Sequence, residues 1–200
     1  MSQIYDIIKV PDPVLKEKSA PLESLNDAVH SQITRMIDTM YDANGIGLAA
    51  PQVGILNRIF VMDVPVGGWR YDGEDGGVKV IESVYRSGNG DEADMREQNP
   101  LVMVNPEIVH ASDEQSVFQE GCLSIPQQYA DVVRPAIVTV SYIDADGQRQ
   151  EQQFEGLPSH CVQHEIDHLD GVLFIDYLST LKRNMMIKRV AKMVKQQAVL

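Results

Sequence analysis

A His-Glu-Ile-Asp-His segment at residues 164–168 constrains this chain more than any other feature. It lies within residues 157–170, which predict a helix because Pro158 suits a first turn and Gly171 suits the position after the last turn. Residues four apart share one face of a helix, so the two histidines can offer their imidazoles to one metal ion. The alternative is a solvated helix that happens to carry two histidines. The pattern favours the metal site.

A catalytic metal site usually takes three protein ligands and leaves one position for water, so a third ligand must lie elsewhere. Metzincin proteases place a third histidine six residues after the second one, where this chain has Phe174. Thermolysin-like proteases use a later glutamate, and no acidic residue follows Asp176. The patterns of both protease families are therefore excluded.

Cysteine is the remaining candidate for the third ligand, and the chain has two. Cys161 lies three residues before His164, so the same helix could carry it to the metal, although three ligands from one helix make a poor tetrahedral face. Cys122 lies in the turn-prone segment EGCLSIP, where a buried structural thiol is the alternative. Spacing leaves the choice open, with a slight preference for Cys161 by proximity.

Hydrophobic periodicity predicts the remaining elements. An apolar stripe from Leu25 to Met40 predicts a helix that Ser24 caps and Asn44 and Gly45 end. Apolar runs predict short strands at residues 4–10, 58–64, 101–109, 137–144 and 148–155. We therefore expect an α+β fold of mostly antiparallel sheets around a central metal-binding helix, with a C-terminal helix.

A chain of 200 residues is long enough for one domain with a sizeable core, and we expect a single catalytic domain over residues 1–200. Residues 65–99 are rich in glycine and acidic side chains and show little periodicity, so we predict a surface insertion there. Residues 179–198 predict a basic C-terminal helix with an apolar side.

The formal net charge of −12 argues against a nucleic-acid or membrane binder, so we expect no DNA and no membrane partner. The charge is uneven, because the last 24 residues carry six basic side chains and no acidic one. This basic helix could dock on the body through its apolar side, or it could bind an acidic partner.

Several features predict a cytoplasmic protein. Two cysteines are fewer than a secreted domain stabilised by disulfides normally carries. No apolar run approaches the length of a membrane span, and the first residues lack the pattern of a signal or transit peptide.

Three segments together resemble the bacterial-type, iron-dependent peptide deformylases: GIGLAAPQ (45–52), EGCLS (120–124) and QHEIDH (163–168). They occur in the order found in that family, and the resemblance extends over most of the chain outside residues 65–99. It implies a hydrolase that removes the formyl group from the N-terminal formylmethionine of newly made polypeptides and releases formate. The expected partners are N-formylmethionyl peptides.

The resemblance implies that the metal ligands are Cys122, His164 and His168, and that Cys161 lines a pocket instead. It implies one divalent ion, with Fe²⁺ expected and Zn²⁺, Ni²⁺ or Co²⁺ as alternatives. A thiolate with two imidazoles suits several of these ions, so ligand type does not choose between them. A related C-terminal helix contacts the ribosome in similar bacterial enzymes, so we expect the ribosome as a candidate partner of the basic helix.

Three catalytic residues follow from the motifs. Glu165 is expected to take a proton from the water on the metal and to deliver it to the leaving amine. By resemblance, the side-chain amide of Gln52 and the backbone N–H of Leu123 donate to the oxygen that becomes negative.

The resemblance also implies a substrate-binding set around these groups. Gly45, Ile46 and Gly47 are expected to run beside an extended peptide substrate. The predicted pocket for the methionine side chain comprises Ile46, Phe118, Leu157, Cys161 and the ring face of His164. We also place Glu120 at this site and expect it to pair with Arg134. His160 stands where the family often has an aliphatic residue, and a solvated position on the helix is its ordinary interpretation.

Two other classes of function compete with this prediction. A zinc endopeptidase would need an open cleft and a third ligand of the protease type. A binding module with a structural metal would have four protein ligands, and Glu165 argues against it because a structural site needs no general base.

Overall fold

The structure is a computed structural model that describes residues 4–64, 69–75, 78–83 and 98–197. Within these ranges the helices are α1 (Asp27–Asp42), α2 (Leu157–Leu169) and α3 (Thr180–Gln197). The strands are β1 (Gly47–Ala49), β2 (Ile59–Met62), β3 (Trp69–Asp75), β4 (Val78–Ser83), β5 (Leu101–Ala111), β6 (Gln115–Cys122), β7 (Ile125–Pro135), β8 (Ile137–Ile143) and β9 (Arg149–Glu155). Short 3₁₀ turns cover Pro13–Lys16, Ala50–Val53 and Phe174–Tyr177.

The strands form two sheets. A five-stranded sheet has the order β1-β2-β5-β8-β9, and every neighbouring pair in it is antiparallel. A four-stranded sheet has the order β3-β4-β6-β7, in which the pair β4–β6 is parallel and the others are antiparallel. The predicted α+β class with mostly antiparallel sheets is confirmed.

Helices cover both faces of the five-stranded sheet. Successive side chains of a strand point to opposite faces, and β2 follows this alternation. Ile59 and Val61 belong to the apolar core that includes the buried side of α1, whereas Phe60 and Met62 belong to the core that includes α2. Every residue of α2 except Pro158 and Asp167 is buried, so the predicted central helix is present.

Two local predictions near the N-terminus were wrong. Helix α1 begins at Asp27 rather than after Ser24, because the Asn26 side chain accepts from the backbone N–H of Val29 at 3.0 Å and caps the helix. Residues 4–10 form no strand. Their backbone instead makes single hydrogen bonds to three separate segments, from Tyr5 to the Thr39 hydroxyl, from Ile8 to Gln52 and from Val10 to Ser124.

The predicted insertion at residues 65–99 includes β3 and β4, while its residues 65–68, 76–77 and 84–97 lie outside the described ranges. Strand β4 joins the second sheet beside β6, with Val80 opposite Val117. Ile81 on β4 is buried. The described part of this stretch is thus built into a sheet. Its status as an insertion in a single catalytic domain stays a prediction.

Helix α3 packs on the body of the molecule. Val190 is buried, and Met186 and Ile187 pack against the same cluster beside Phe174. Docking through the apolar side of the helix is therefore confirmed, although Leu181 is 72% exposed. None of the helices within the described ranges combines the length and apolar character needed to cross a membrane.

Candidate active site

The three sequence motifs meet in space. GIGLAAPQ forms β1 and the 3₁₀ turn that follows it, EGCLS forms the end of β6 and the turn into β7, and QHEIDH lies in α2. Ligand atoms of Cys122, His164 and His168 all lie within 4.8 Å of one another. The Cys122 Sγ lies 3.2 Å from the His168 Nε2. One thiol and two imidazoles at this separation fit a transition-metal ion held by three protein ligands.

Cys161 lies outside this cluster. Its thiol donates to the backbone carbonyl of Ile46 at 3.5 Å, on the side of α2 that faces β1. Burial raises the pKa of this thiol well above its ordinary value, which keeps it protonated and makes it a poor ligand. The preference for Cys161 by proximity along the sequence therefore does not agree with the geometry.

Glu120 lies behind the histidine cluster and is surrounded by donors. Its Oε2 accepts from the His164 Nδ1 at 2.9 Å, and its Oε1 accepts from the His160 Nδ1 at 3.1 Å. Because a carboxylate only accepts, the Nδ1 of His164 carries the hydrogen, and its Nε2 lone pair is left for the metal side. The contact thus orients the imidazole.

The predicted pair between Glu120 and Arg134 is present. The Nε and Nη2 of Arg134 donate to the two oxygens of Glu120 at 2.6 and 3.0 Å, and its Nη1 donates to Asp167 at 2.8 Å. Burial alone would raise the pKa of Glu120, but the hydrogen bonds from His160, His164 and Arg134 outweigh it and hold this pKa well below its ordinary value. Glu120 is therefore a permanent anion whose oxygens are occupied by protein donors, and direct contact with substrate stays a prediction.

His160 is not a solvated helix residue, because it is 1% exposed. Its Nε2 lies 3.0 Å from the hydroxyl of Ser116, which is also buried. Since Nδ1 donates to Glu120, the Ser116 hydroxyl donates to Nε2 in the neutral ring. The histidine that stands here in place of the family's aliphatic residue therefore has two polar partners, Glu120 and Ser116.

Glu165 differs from Glu120 in its surroundings. Burial raises the pKa of its carboxyl to about 7. Among the described residues, its Oε2 has no hydrogen-bond partner. A side chain at Gly47 would collide with this carboxyl, so only glycine lets β1 pass so close to it. The carboxyl is buried, unpaired at one oxygen and near neutral in pKa, as a group that exchanges protons requires.

Gln52 lies beside Cys122 with its amide fixed. Its Oε1 accepts from the backbone N–H of Ala49 at 2.8 Å, and its Nε2 donates to the Ser124 hydroxyl at 3.2 Å and to the Cys122 Sγ at 3.4 Å. The NH₂ group therefore points toward the thiol. Leu123 follows the cysteine directly in the turn between β6 and β7.

Strand β1 forms an edge of the five-stranded sheet. It is hydrogen-bonded to β2 alone among the described strands, so its other side is free to add an extended chain. Asn44 takes the left-handed conformation that ends α1, with φ of 53°, and the backbone N–H of the next residue, Gly45, donates to the carbonyl of Met40. Ile46 and Gly47 follow at the start of the edge.

Sequence reasoning missed several residues of this site. Asp167 contacts Arg134, Ser116 contacts His160, and Ser124 accepts from Gln52. Ser124 and Asp167 carried a signal, because they stand within EGCLS and QHEIDH. Ser116 lies outside the three motifs and 44 residues from His160, and no local pattern indicates its contact.

The geometry agrees with the comparisons to known proteins. The family model for polypeptide deformylase matches residues 4–184. The chain belongs to the polypeptide deformylase family. It is similar to the peptide deformylase of Rhizobium meliloti, with 45% identity over 96% of this chain and 95% of that protein.

Solved peptide deformylases share the fold of this family member. A crystal structure from Legionella pneumophila matches with a TM-score of 0.78 and 39% identity, covering 98% of each chain. One from Ehrlichia chaffeensis matches with a TM-score of 0.81 and 33% identity, covering 98% of this chain and 99% of that one. The similarity therefore extends over nearly the full length of this chain.

Proposed function

We infer that this chain hydrolyses the formyl group from the N-terminal formylmethionine of newly made polypeptides and releases formate. One observation carries the proposal: a thiol and two imidazoles converge beside a buried carboxyl with a pKa of about 7, next to the open edge of β1. Family membership supports the same reaction.

We propose that Cys122, His164 and His168 hold one divalent metal ion. The separation of their ligand atoms supports this, and so does the Glu120 contact that directs the Nε2 of His164 away from the protein network. We expect Fe²⁺, with Zn²⁺, Ni²⁺ or Co²⁺ as alternatives, because a thiolate and two imidazoles accept any of them. When bound, the ion supplies Lewis acidity that activates water toward a carbonyl carbon.

The protein side chains handle the protons and the developing charge. Glu165 takes a proton from the attacking water and gives it to the leaving amine, so the C–N bond breaks to formate and a free N-terminus. The NH₂ of Gln52 and the backbone N–H of Leu123 donate to the formyl oxygen as it becomes negative. The direction of the Gln52 amide toward Cys122 supports this role.

We propose that the peptide lies along Gly45, Ile46 and Gly47 as an added strand, because β1 is an edge strand. Its methionine side chain would enter a pocket that Leu157 and Cys161 line. Both are buried on α2, one turn apart, and face the same way as His164. Glu120 would support this pocket from behind His164.

The decisive test is anaerobic formate release from a formylmethionyl peptide, with metal content measured on the same samples. Wild type should release formate. Cys122→Ala should lose bound metal and activity, whereas Cys161→Ala should keep its metal. Full activity in Cys122→Ala with metal loss in Cys161→Ala would overturn the ligand assignment. Cleavage of internal peptide bonds without formate release would overturn the function.

We propose that the basic face of α3 binds ribosomal RNA. Five of its six basic side chains are exposed, namely Lys182, Lys188, Arg189, Lys192 and Lys195, and the sixth, Arg183, pairs with Asp176 at 3.6 Å. Phosphate contacts of this kind weaken steeply as salt concentration rises.

Deletion of residues 182–200 should weaken co-sedimentation with ribosomes at low salt. Because Val190 is part of the core, a double variant, Lys188→Glu with Lys192→Glu, separates charge from folding. It should weaken co-sedimentation while formate release from a short peptide stays unchanged. Equal co-sedimentation of wild type and the double variant at low salt would contradict the proposal.

We propose a cytoplasmic location. The inferred substrates are newly made polypeptides. Cys122 is also a free thiol, which a metal ligand requires and a reducing compartment maintains.

A further inference from the structure

Trp69, the first residue of β3, lies directly on the backbone of the metal-binding helix. Its ring rests against Gly156, the residue before α2, and a side chain at Gly156 would collide with the ring. Gly156 also has φ of 63°, which glycine tolerates without strain. Both features of this glycine therefore fit a close approach of the indole to the start of α2.

Contacts at several points along the β3–β4 hairpin hold it in place. The Tyr71 hydroxyl donates to Glu155 at 3.3 Å, one residue before Gly156. On β4, Lys79 pairs with Glu114 at 2.8 Å. Trp69 and Tyr71 meet edge to face with ring centroids 5.4 Å apart. The indole is thus positioned by the fold rather than by one contact.

The face of α2 that carries the predicted pocket begins at Leu157, the residue after Gly156, and the indole lies against Gly156. His164, Cys161 and Leu157 are spaced three and four residues apart, so they line one face. At 1.5 Å per residue, the face is about 10 Å long from His164 to Leu157. Ile46 lies across from it and accepts from the Cys161 thiol at 3.5 Å. A side chain that enters from the metal end would therefore run toward the helix start.

We propose that Trp69 closes the far end of the methionine side-chain pocket and limits the length of the first side chain that the enzyme accepts. This inference rests on the proposed function. Trp69 is half-buried, so part of its ring remains available for contact with a substrate. A large aromatic ring at the end of an apolar pocket excludes longer side chains by its volume.

The test compares kcat/KM for two formylated tripeptides that differ only in the first residue, methionine or phenylalanine. Trp69→Ala should raise the phenylalanine-to-methionine ratio by about tenfold or more, and Trp69→Phe should raise it less. Arg70→Ala is the matched control, because its side chain leaves the opposite face of β3, and its ratio should equal that of wild type.

Activity gained on the larger substrate cannot come from loss of folding, so the ratio separates the pocket role from a structural one. If Trp69→Ala fails to fold, as thermal unfolding would reveal, the Trp69→Phe ratio decides. A ratio within twofold of wild type in the folded variants would overturn the inference. Absence of formate release from wild type on the methionine peptide would instead refute the proposed function, and with it this pocket.

Discussion

Glu120 contacts His164 and Glu165 follows His164 in α2; both glutamates are buried, and their surroundings shift their pKa values in opposite directions. Their exposures are nearly equal, at 3% and 4%. Donors from His160, His164 and Arg134 hold the pKa of Glu120 well below its ordinary value. Burial raises the pKa of Glu165 to about 7. Burial alone therefore does not determine the state of a carboxyl; its partners do.

This difference divides the site into two parts. On the Glu120 side, the polar side chains are hydrogen-bonded to one another: Arg134 bonds to Asp167, and Ser116 bonds to His160. On the Glu165 side, an oxygen of the carboxyl lacks a partner among the described residues. Substitutions on the first side should therefore change stability and metal affinity, and those on the second side should change the reaction rate.

Glu165→Gln should have the largest effect on rate. The amide keeps the shape of the side chain but cannot carry the proton, so kcat for formate release should fall by about 10²–10⁴-fold. The free energy of unfolding should not fall, because the substitution removes an ionisable group that burial disfavours as an anion. Steady-state kinetics, urea unfolding and metal analysis check this. A stable, metal-loaded Glu165→Gln variant with wild-type kcat would contradict the proton-transfer role.

Glu120→Gln and Arg134→Met should instead destabilise the fold. Removing one partner of a buried ion pair leaves the other charge uncompensated, at a cost of about 3–5 kcal/mol. Loss of the contact that orients His164 should also weaken metal affinity by about 10–100-fold. Chemical unfolding and competition with a chelator measure the two effects.

A double-mutant cycle separates the pair from its neighbours. The double variant should be less destabilised than the sum of the single variants, because the two removed groups contact each other directly. Additive effects would mean that Glu120 and Arg134 act independently. The Glu120 side would then not be the coupled, stabilising part of the site that the proposed division requires.

Local sequence predicted much of the Glu165 side of the site, but it did not predict most of the contacts on the Glu120 side. His164, Glu165 and His168 follow from helical spacing, and α2 lies within a residue of its predicted end. The choice of Cys122 over Cys161 needed the family resemblance, because it depends on how the β6–β7 turn meets α2. The pair of Glu120 with Arg134 was expected, but its link to Asp167 depends on how β7 packs against α2.

The fold shows the same limit. Periodicity identified α2 and four of the nine described strands, namely β2, β5, β8 and β9, whereas residues 4–10 have strand-like composition without a strand partner. Strand β4 pairs in parallel with β6, which lies beyond the long segment after Ser83 and the whole of β5. Such a pairing depends on long-range packing, so the parallel partner of β4 could not be expected from local pattern.

Gly47→Ala should have an intermediate effect that falls mainly on the Glu165 side. The added methyl group would collide with the Glu165 carboxyl and approach the Cys161 Sγ to 3.1 Å. Displacement of the carboxyl by a fraction of its size can lower the rate about 10²-fold, while overpacking costs about 1–3 kcal/mol. Gly45→Ala is the matched comparison, because its methyl group would meet the movable end of Leu123. A smaller rate loss in Gly47→Ala than in Gly45→Ala would contradict the prediction.

Two buried serines give the smallest and most selective test of the division. Ser116 and Ser124 are both fully buried, but Ser116 donates to His160 on the Glu120 side and Ser124 accepts from the Gln52 amide on the other. Ser116→Ala leaves the His160 Nε2 without a donor and should lower the free energy of unfolding by about 1–3 kcal/mol, with kcat little changed. Ser124→Ala frees the Gln52 amide and should lower kcat more than Ser116→Ala does.

Urea unfolding and formate release on the same two variants measure both quantities. Each substitution removes one hydroxyl from a buried site, so the two variants change in volume and hydrophobicity by similar amounts. The remaining difference between them in stability and kcat therefore reflects the hydrogen-bond partner that each serine loses. If Ser116→Ala lost more rate than Ser124→Ala, His160 and Glu120 would have to act on the reaction itself, and the two glutamates would no longer mark separate structural and catalytic sides of α2.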